Sequence, residues 1–534
     1  MAAQFPDISS KYKDFVSKST LVHPGPPGVY KVEVKQEKIG NLTKIIVGEK
    51  TLEKTNKTIL LVGETGAGKS TLVNVLFNYT MGVKFEDGVW FEVVEEKERS
   101  PTESQTPDVI VYEMFEGQSV PYSLTVIDTP GYGSTGGIDV LTSQRLLDLF
   151  QSEDGVHEIH AVGLVIKASE NRLSDRLRYI FDNMLSLFGK NLEKNIVALI
   201  TNSGGKRPKD ALKALEAAQI KCARNEKNEP IHFLFNNCQS DDRTDEDENE
   251  ILKRSFDKAN IEMSQLEKFL TGVEAQKLST TLEVLNVRIS LAACIYNLQE
   301  RIHLSEQKQQ EIRQMEKGLD KYNAKLKSST EFTIEYEEVY KEKQKVGVGS
   351  WGMKLFYDSA TCCRVCQENC HYPCTVAWYA DKCKIIKNGH CTVCTKKCPA
   401  SDHVKEDWQY VTKTRKVRRT LKEMKKKYEV KKEGISDMLA ALKQENDRLE
   451  EEKNEFLEEA YKHVMKLDEI ALSVNSLSTF VHLDFLIEKM KEKREDRKAY
   501  QLEKIKNSQD KGVASVLKVF YKKKNETKLR DLEV

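Results

Sequence analysis

No stretch of this chain approaches the about 18 consecutive apolar residues that a membrane-spanning helix needs. The opening MAAQFPDISSKYKD has no apolar core of the kind that directs secretion, RDLEV carries no prenylation cysteine, and Met1-Ala2 is no myristoylation start. These absences point to a cytoplasmic protein with no membrane span and no lipid anchor. Net charge is missing as well: Lys+Arg 84 against Asp+Glu 83 leaves +1, so no protein-wide field draws the chain to nucleic acid or acidic lipid. Apolar residues are scarce, 39% against a usual ~45–50%, and charged residues reach 31%, the direction taken by chains with long solvated helices. At 534 residues the chain exceeds one compact core, and about two to four domains are expected. Cysteine is rare outside one place: nine of the 12 lie between Cys362 and Cys398, which in a reducing compartment reads as metal ligation rather than disulfides. Cys222, Cys238 and Cys294 stand alone and read as small buried residues.

The organisation follows from periodicity. Residues 1–55, with HPGPPG at 23–28, read as an irregular N-terminal arm holding one or two short strands. Over 56–270, the apolar runs TILLVG, YSLTVIDT, HAVGLVIK, NIVALIT and IHFLF alternate with helical patterns, the signature of a mostly parallel, doubly wound α/β sheet. The runs 108–114 and 122–128 are close enough to form an antiparallel hairpin within it. The acidic run at 241–250 is a solvated loop that marks a boundary. Beyond it, Leu278, Leu282, Leu285, Ile289, Ala292, Ile295, Leu298 and Ile302 recur at helical spacing, with no proline between 231 and 372, so 271–330 holds a first long helix. Met438, Leu442, Leu449, Phe456 and Val464 predict a returning helix over 421–474, and 475–534 a C-terminal helix with a Lys-rich tail. Between the long helices, 331–420 holds two extended segments and the cysteines. Paired antiparallel, the segments set Glu335, Glu337 and Glu338 near Lys413, Arg415 and Lys416. Neither apolar stripe can stay in water, so the helices are expected to fold back as an antiparallel coiled-coil hairpin with the cysteine module at its tip.

Gly63-Glu64-Thr65-Gly66-Ala67-Gly68-Lys69-Ser70-Thr71 matches GxxxxGK[ST], follows the strand TILLV and opens a helix, the context a phosphate-binding P-loop requires. Gly66 and Gly68 let successive N–H groups face phosphate oxygens, Lys69 reaches the β- and γ-phosphates, and Ser70 supplies a hydroxyl to Mg²⁺. Asp128-Thr-Pro-Gly131 ends a later strand. Asp128 there is suited to Mg²⁺, and Gly131 to donating its N–H to a γ-phosphate. Thr106, or its competitor Thr102, is placed to be the second hydroxyl ligand of Mg²⁺ in a switch loop.

With these residues in hand, the chain resembles the septin-like branch of GTPases, which includes septins, immunity-associated GTPases and chloroplast-import receptor GTPases. GETGAGKST, the SQT of the switch, and DTPG followed by an aromatic carry the likeness, over about 56–270. The resemblance implies an α/β P-loop GTPase domain that binds GTP/GDP with Mg²⁺ and pairs with a second copy through that domain. The sequence departs from the family at the base: NIVALI is followed by Thr201-Asn202-Ser203-Gly204 and not by [NT]KxD, so the Asp that reads guanine is absent. The import-receptor GTPases also begin this element with Thr and lack the Asp. Asn236-Asn237 then match the element that completes the base pocket, and Asn237 is placed to hydrogen-bond guanine O6. Tyr132 stands where Ras-type enzymes keep a water-orienting Gln, and Thr65 where they need Gly, which implies slow hydrolysis. Arg99 is a candidate for a group supplied by the partner protomer and otherwise reads as a solvent-facing arginine.

The metal module offers Cys363, Cys366, Cys370, His371, Cys374, Cys383, Cys391, Cys394, Cys398 and His403 as zinc ligands, in two C-x2-C-x3-C units whose pairing the spacing leaves open. Cys362 and His390 are set aside, and about two Zn²⁺ are expected. From 411 to 433 there are 11 Lys/Arg and three Glu, which reads as a solvated face partly neutralised by 331–340 and not as a nucleic-acid surface. The leading function is a slow GTPase switch whose zinc-tipped arm engages a protein partner. A non-hydrolysing pseudo-GTPase scaffold is the alternative. A coiled-coil ATPase acting on DNA is disfavoured, because 470–534 holds no LSGG-like signature.

Overall fold

The computed structural model describes residues 10–39, 42–50, 54–94, 108–115, 117, 119–131, 138–169, 175–217, 219–238, 240–324, 333–345, 359–372, 374, 379–383, 385–420, 422–423, 435–474 and 477–507. These divide into two compact units. One holds residues 1–285 with 470–479 and 507–534; the other holds 286–469 with 480–506.

The first unit is built on an eight-stranded sheet: β1 (Lys35–Ile39), β2 (Leu42–Val47), β3 (Thr55–Gly63), β4 (Ile110–Met114), β5 (Tyr122–Asp128), β6 (Ala161–Lys167), β7 (Ile196–Thr201) and β8 (His232–Leu234). Their order is β8-β7-β6-β3-β5-β4-β2-β1. All neighbours run parallel except β4 with β5 and β1 with β2. Every residue of β5 and β7 is buried, without alternation, as strands covered on both faces require. Ile59, Leu61, Val126 and Leu199 face a core shared with Leu72, Phe77, Phe256 and Leu266. The alternate residues Leu60, Val62, Leu164 and Ile200 are buried too, on the opposite face.

The N-terminal segment is not an arm apart from this domain. β1 and β2 extend its sheet along the edge of β4. Two further strands, Thr20–His23 and Gly28–Lys31, join Val89–Glu92 in a small second sheet. Tyr12 and Phe15 pack on Phe91 there, with ring centroids 5.7 and 5.0 Å apart. Aromatic burial of that size explains why a stretch rich in Pro and Gly is ordered. The acidic run is likewise only half a loop. Asp245 caps α5 (Glu246–Gly272) by accepting from Glu248 N at 3.3 Å. Its lone cation, Arg243, is buried with its guanidinium 3.9 Å from the Phe85 ring. Helices α1 (Lys69–Met81), α2 (Ile138–Gln151), α3 (Asp175–Leu185) and α4 (Lys209–Ala217) complete the unit.

In the second unit, α6 (Ser279–Ala324, here from 286) and α7 (Ile435–Ile470, here to 469) run antiparallel. Arg301 meets Glu452 at 2.7 Å, Ser305 donates to Glu450 at 2.7 Å, and Lys443 meets Glu316 at 3.2 Å. One residue number rises as its partner's falls, which defines the hairpin. Its seam is not one apolar stripe. Leu291, Ile295 and Leu298 give way to buried Arg301, Ser305, Lys308 and Glu311. Helices α8 (Leu477–Glu492, here from 480) and α9 (Asp496–Asn507, here to 506) return alongside, with Lys498 on Glu458 at 2.7 Å and Lys491 on Glu503 at 2.6 Å.

Strands β9 (Thr333–Lys345) and β13 (Trp408–Thr420) form the expected ribbon. Its register pairs Glu335 with Arg418, Glu337 with Lys416 and Glu338 with Arg415. Lys413 meets Glu342 instead, at 3.0 Å. Between them, β10 (Ala360–Cys363), β11 (Glu368–His371) and β12 (His403–Glu406) make a three-stranded sheet. The module they build is not at the hairpin's tip. The ribbon folds back along α6, where Glu337 N donates to Gln314 at 2.9 Å and Thr412 to Glu300 at 3.0 Å. It thereby delivers the cysteines to Ile289 and Ala293. The reason is burial: the apolar part of α6 lies in that half of the helix, and the module covers it.

Candidate nucleotide site and cysteine centre

The P-loop is shaped by backbone that only glycine tolerates easily. Gly66 and Gly68 have φ of 75° and 88°. A Cβ on Gly63 would stand 2.5 Å from the Val165 carbonyl oxygen. Gly68 directly precedes α1, so the turn's N–H groups and the helix N-terminus converge on one point. Lys69 is buried, and its Nζ donates to the carbonyls of Gly63 and Glu64 at 3.0 and 3.1 Å. Burial lowers its pKa, while Asp128 and Glu64 pull it the other way. Ser70 Oγ donates to Asp128 Oδ2 at 2.8 Å, bringing the two expected Mg²⁺ ligands together. Thr71 follows in the first turn of α1.

Gly131 closes over the loop. A Cβ there would lie 2.2 Å from Thr65 Oγ1 and 2.6 Å from Thr65 N. Thr65 Oγ1 is buried with no hydrogen-bond partner. Thr106, Thr102, Arg99 and Tyr132 lie outside the described residues.

Thr201 and Asn237, from the two segments expected to read the base, reach the same loop. Thr201 Oγ1 donates to the Ala67 carbonyl at 2.7 Å. Asn237, left-handed at φ 60°, donates to the Gly68 carbonyl at 3.5 Å, and its Oδ1 is buried without a partner. The side chain therefore offers an acceptor, not the donor expected for guanine O6. Asn202 is exposed, at φ 51°. Asn236 is turned away toward Ser255 of α5.

Sequence reasoning missed Lys167. It ends β6, and its Nζ is 3.8 Å from where a Gly66 Cβ would stand, a second ammonium beside the loop. Its place at the end of the strand AVGLVIK was the available signal. Also unforeseen is Arg145 of α2, buried and paired with Asp108 at 3.2 Å where the chain enters β4.

The cysteine module resolves into three groups, each with ligand atoms within 4.8 Å of one another: Cys363, Cys366, Cys394 and Cys398; Cys370, Cys391, Cys394 and His403; and His371, Cys374 and Cys383. All twelve cysteines are free. Backbone N–H groups point at the sulfurs, from Cys366 to Cys363 and from Cys394 to Cys391 at 3.3 Å, and from Cys398 to Cys394 at 3.2 Å. Cys362 stands outside the groups, its thiol directed to Asn369 at 3.3 Å, and His390 is exposed. A soft, buried thiolate and imidazole donor set of this kind suits Zn²⁺.

Residues 53–143 match the family model described as Septin. No curated protein matches the chain. Toc33 from Arabidopsis thaliana in complex with GDP and Mg²⁺ is similar at 16% identity with a TM-score of 0.30, over 41% of this chain and 87% of that one. The Arl6 BBS3 small GTPase from Trypanosoma brucei with bound GppNp is similar at 13% identity with a TM-score of 0.24, over 41% of this chain and all of that one. Translation elongation factor SelB from Methanococcus maripaludis with GppNHp follows at 15% identity with a TM-score of 0.24, over 42% of this chain and 36% of that one. No helix among the described residues is long and apolar enough to cross a membrane.

Proposed function

We propose, for a chain whose residues 53–143 are of the septin GTPase type, that it is a GTP-binding switch that hydrolyses GTP slowly and pairs through its G domain according to nucleotide state. The observation that carries this reading is the convergence of Lys69, the Ser70–Asp128 pair at 2.8 Å and Gly131 on one phosphate-sized turn. Lys69 would leave the Gly63 and Glu64 carbonyls for the β- and γ-phosphates. The N–H groups of Gly66, Ala67, Gly68 and Gly131 would face phosphate oxygens, and Lys167 would add charge beside them. Ser70 and Asp128, with Thr106 from the switch, would hold Mg²⁺, which neutralises phosphate charge when bound. Asn237 Oδ1, buried and available, would accept from a ring N–H of guanine, with Asn202 at the rim. The second unit would be a zinc-stiffened arm for a protein partner.

A pseudo-GTPase scaffold is the competing reading, favoured by Tyr132 in the place of a water-orienting Gln. One experiment separates them: extraction of nucleotide from the purified protein, then turnover measured against protein concentration. Bound guanine nucleotide with turnover that rises per molecule on concentration supports the switch. Bound nucleotide without turnover at any concentration supports the scaffold.

A further inference from the structure

We propose that Cys394 is a bridging thiolate, so that the module holds three metal ions: a binuclear pair sharing Cys394 and a separate ion on His371, Cys374 and Cys383. This rests on the zinc reading above and goes beyond it in stoichiometry, pairing and coupling.

Two tetrahedral ions need eight ligand positions, yet the first two groups contain seven residues, because Cys394 belongs to both. Cys363, Cys366 and Cys398 are terminal on one side; Cys370, Cys391 and His403 are terminal on the other. One shared sulfur supplies the eighth position. At a Zn–S bond of about 2.3 Å, sulfurs on one tetrahedral ion stand about 3.8 Å apart. Cys366 and Cys398 are 3.7 Å apart, and in the third group Cys374 and Cys383 are 3.6 Å apart.

His403 is an independent observation. It is 5% exposed, its Nδ1 is fixed by the Pro399 carbonyl at 2.9 Å, and its Nε2 finds no oxygen or nitrogen partner. An imidazole whose outer nitrogen is held by a backbone carbonyl presents the other as a metal ligand. A ring nitrogen of His403 lies within 4.8 Å of the sulfurs of Cys370, Cys391 and Cys394, and Nε2 is the one left to face them. Charge favours sharing as well. Six thiolates around two divalent ions carry an excess of two negative charges, and a seventh terminal thiolate would add a third. The N–H from Cys398 to Cys394 Sγ, at 3.2 Å, helps hold the shared sulfur in place. The third group supplies a Cys2His set among the described residues, three of the four positions a tetrahedral ion takes.

The test uses the full chain loaded with zinc for native mass spectrometry and with ¹¹³Cd for NMR. We expect three ions per chain, and two cadmium signals split by mutual coupling through one sulfur beside a third, uncoupled signal. Cys374→Ser should lose only the uncoupled ion; Cys394→Ser should abolish the coupled pair. A chain that binds no metal overturns the zinc reading itself. Bound metal with no coupled pair, or a coupled pair that survives Cys394→Ser, overturns the bridge, and a coupled pair with no third ion overturns the separate site; each leaves the zinc reading standing. Because the coupling is read on the unaltered chain, a misfolded variant does not remove the test.

Discussion

Arg301 of α6 and Glu368 of the cysteine module form a buried ion pair, and the same guanidinium reaches Glu452 of α7 at 2.7 Å and Thr395 at 3.0 Å. One side chain thus ties both helices of the hairpin to the module. Glu368 is held further by Thr395 N at 2.9 Å. Removing one member of such a set strands the others without charge compensation in a dry site, a cost of about 3–5 kcal/mol. Arg301→Ala should therefore lower the unfolding midpoint of the second unit sharply. Arg301→Ala with Glu368→Gln should recover part of the loss. Equal midpoints for wild type and the single variant, by thermal unfolding in the presence of added zinc, would show that the pair contributes nothing.

What the sequence made legible was local. The P-loop, DTPG and the hairpin of β4 and β5 each follow from a motif or an alternation that short-range physics determines. The helix periods likewise revealed α6 and α7. Position along α6 was not legible, because Arg301, Ser305 and Lys308 look like an exposed polar face until Glu368 and Glu452 are brought to the first, Glu450 to the second and Glu445 to the third. The module was therefore expected at a tip, whereas burial of Ile289 and Ala293 draws it back. The sharing of Cys394 was hidden for the same reason: spacing reports which cysteines are near in sequence, and His403 joins the site only through the pairing of β12 with β10.

Nucleotide binding should depend on Lys69 and Ser70 together. Lys69→Ala removes the one buried ammonium of the loop, and Ser70→Asn displaces the hydroxyl that meets Asp128. Each should weaken Mg²⁺-GTP binding at least about 100-fold, on the scale of lost charge-assisted bonds. The fold should survive. Unchanged GTP affinity in both, by titration calorimetry, would remove the phosphate site from this turn.

Guanine preference should rest in part on Asn237. Its amide already bridges to Gly68, so Asn237→Ala loses both a positioning contact and the buried acceptor. Competition between GTP and ATP should favour GTP in the wild type and narrow by about tenfold in the variant. ATP displacing GTP at equal concentration in the wild type would show that the base is not read.

The first unit should lose stability in mild acid through His160. Its Nδ1 accepts from Thr58 N at 3.2 Å, and burial, with Lys57 adding, lowers its pKa from 6.5 to about 4. The folded state thus prefers the neutral ring. Its contribution is complete above pH 6.5 and declines as pH falls toward 4, because only the unfolded chain gains the proton across that window. His160→Gln keeps an acceptor and cannot titrate. Between pH 7 and pH 4.5, the midpoint should fall by several degrees more in wild type than in the variant, followed by Trp90 fluorescence. Parallel falls would assign the acid loss elsewhere.

Metal removal should separate the two units. The candidate ligands all lie in the second, and the phosphate turn lies in the first. The module's small sheet has little apolar core of its own. Cys363, Cys370, Cys374, Cys383, Cys391, Cys394 and Cys398 make up most of the buried cluster that packs on Ala293. Metal–thiolate bonds there would supply folding free energy that so small a core lacks. Chelation should therefore abolish amide-exchange protection in β10, β11 and β12, and raise exchange in α6 around Ile289 and Ala293, where the covering is lost. GTP affinity should change by less than about twofold. Retained protection in β10–β12 after complete metal removal would mean that the cysteines pack as ordinary buried thiols and that the metal adds nothing to the fold.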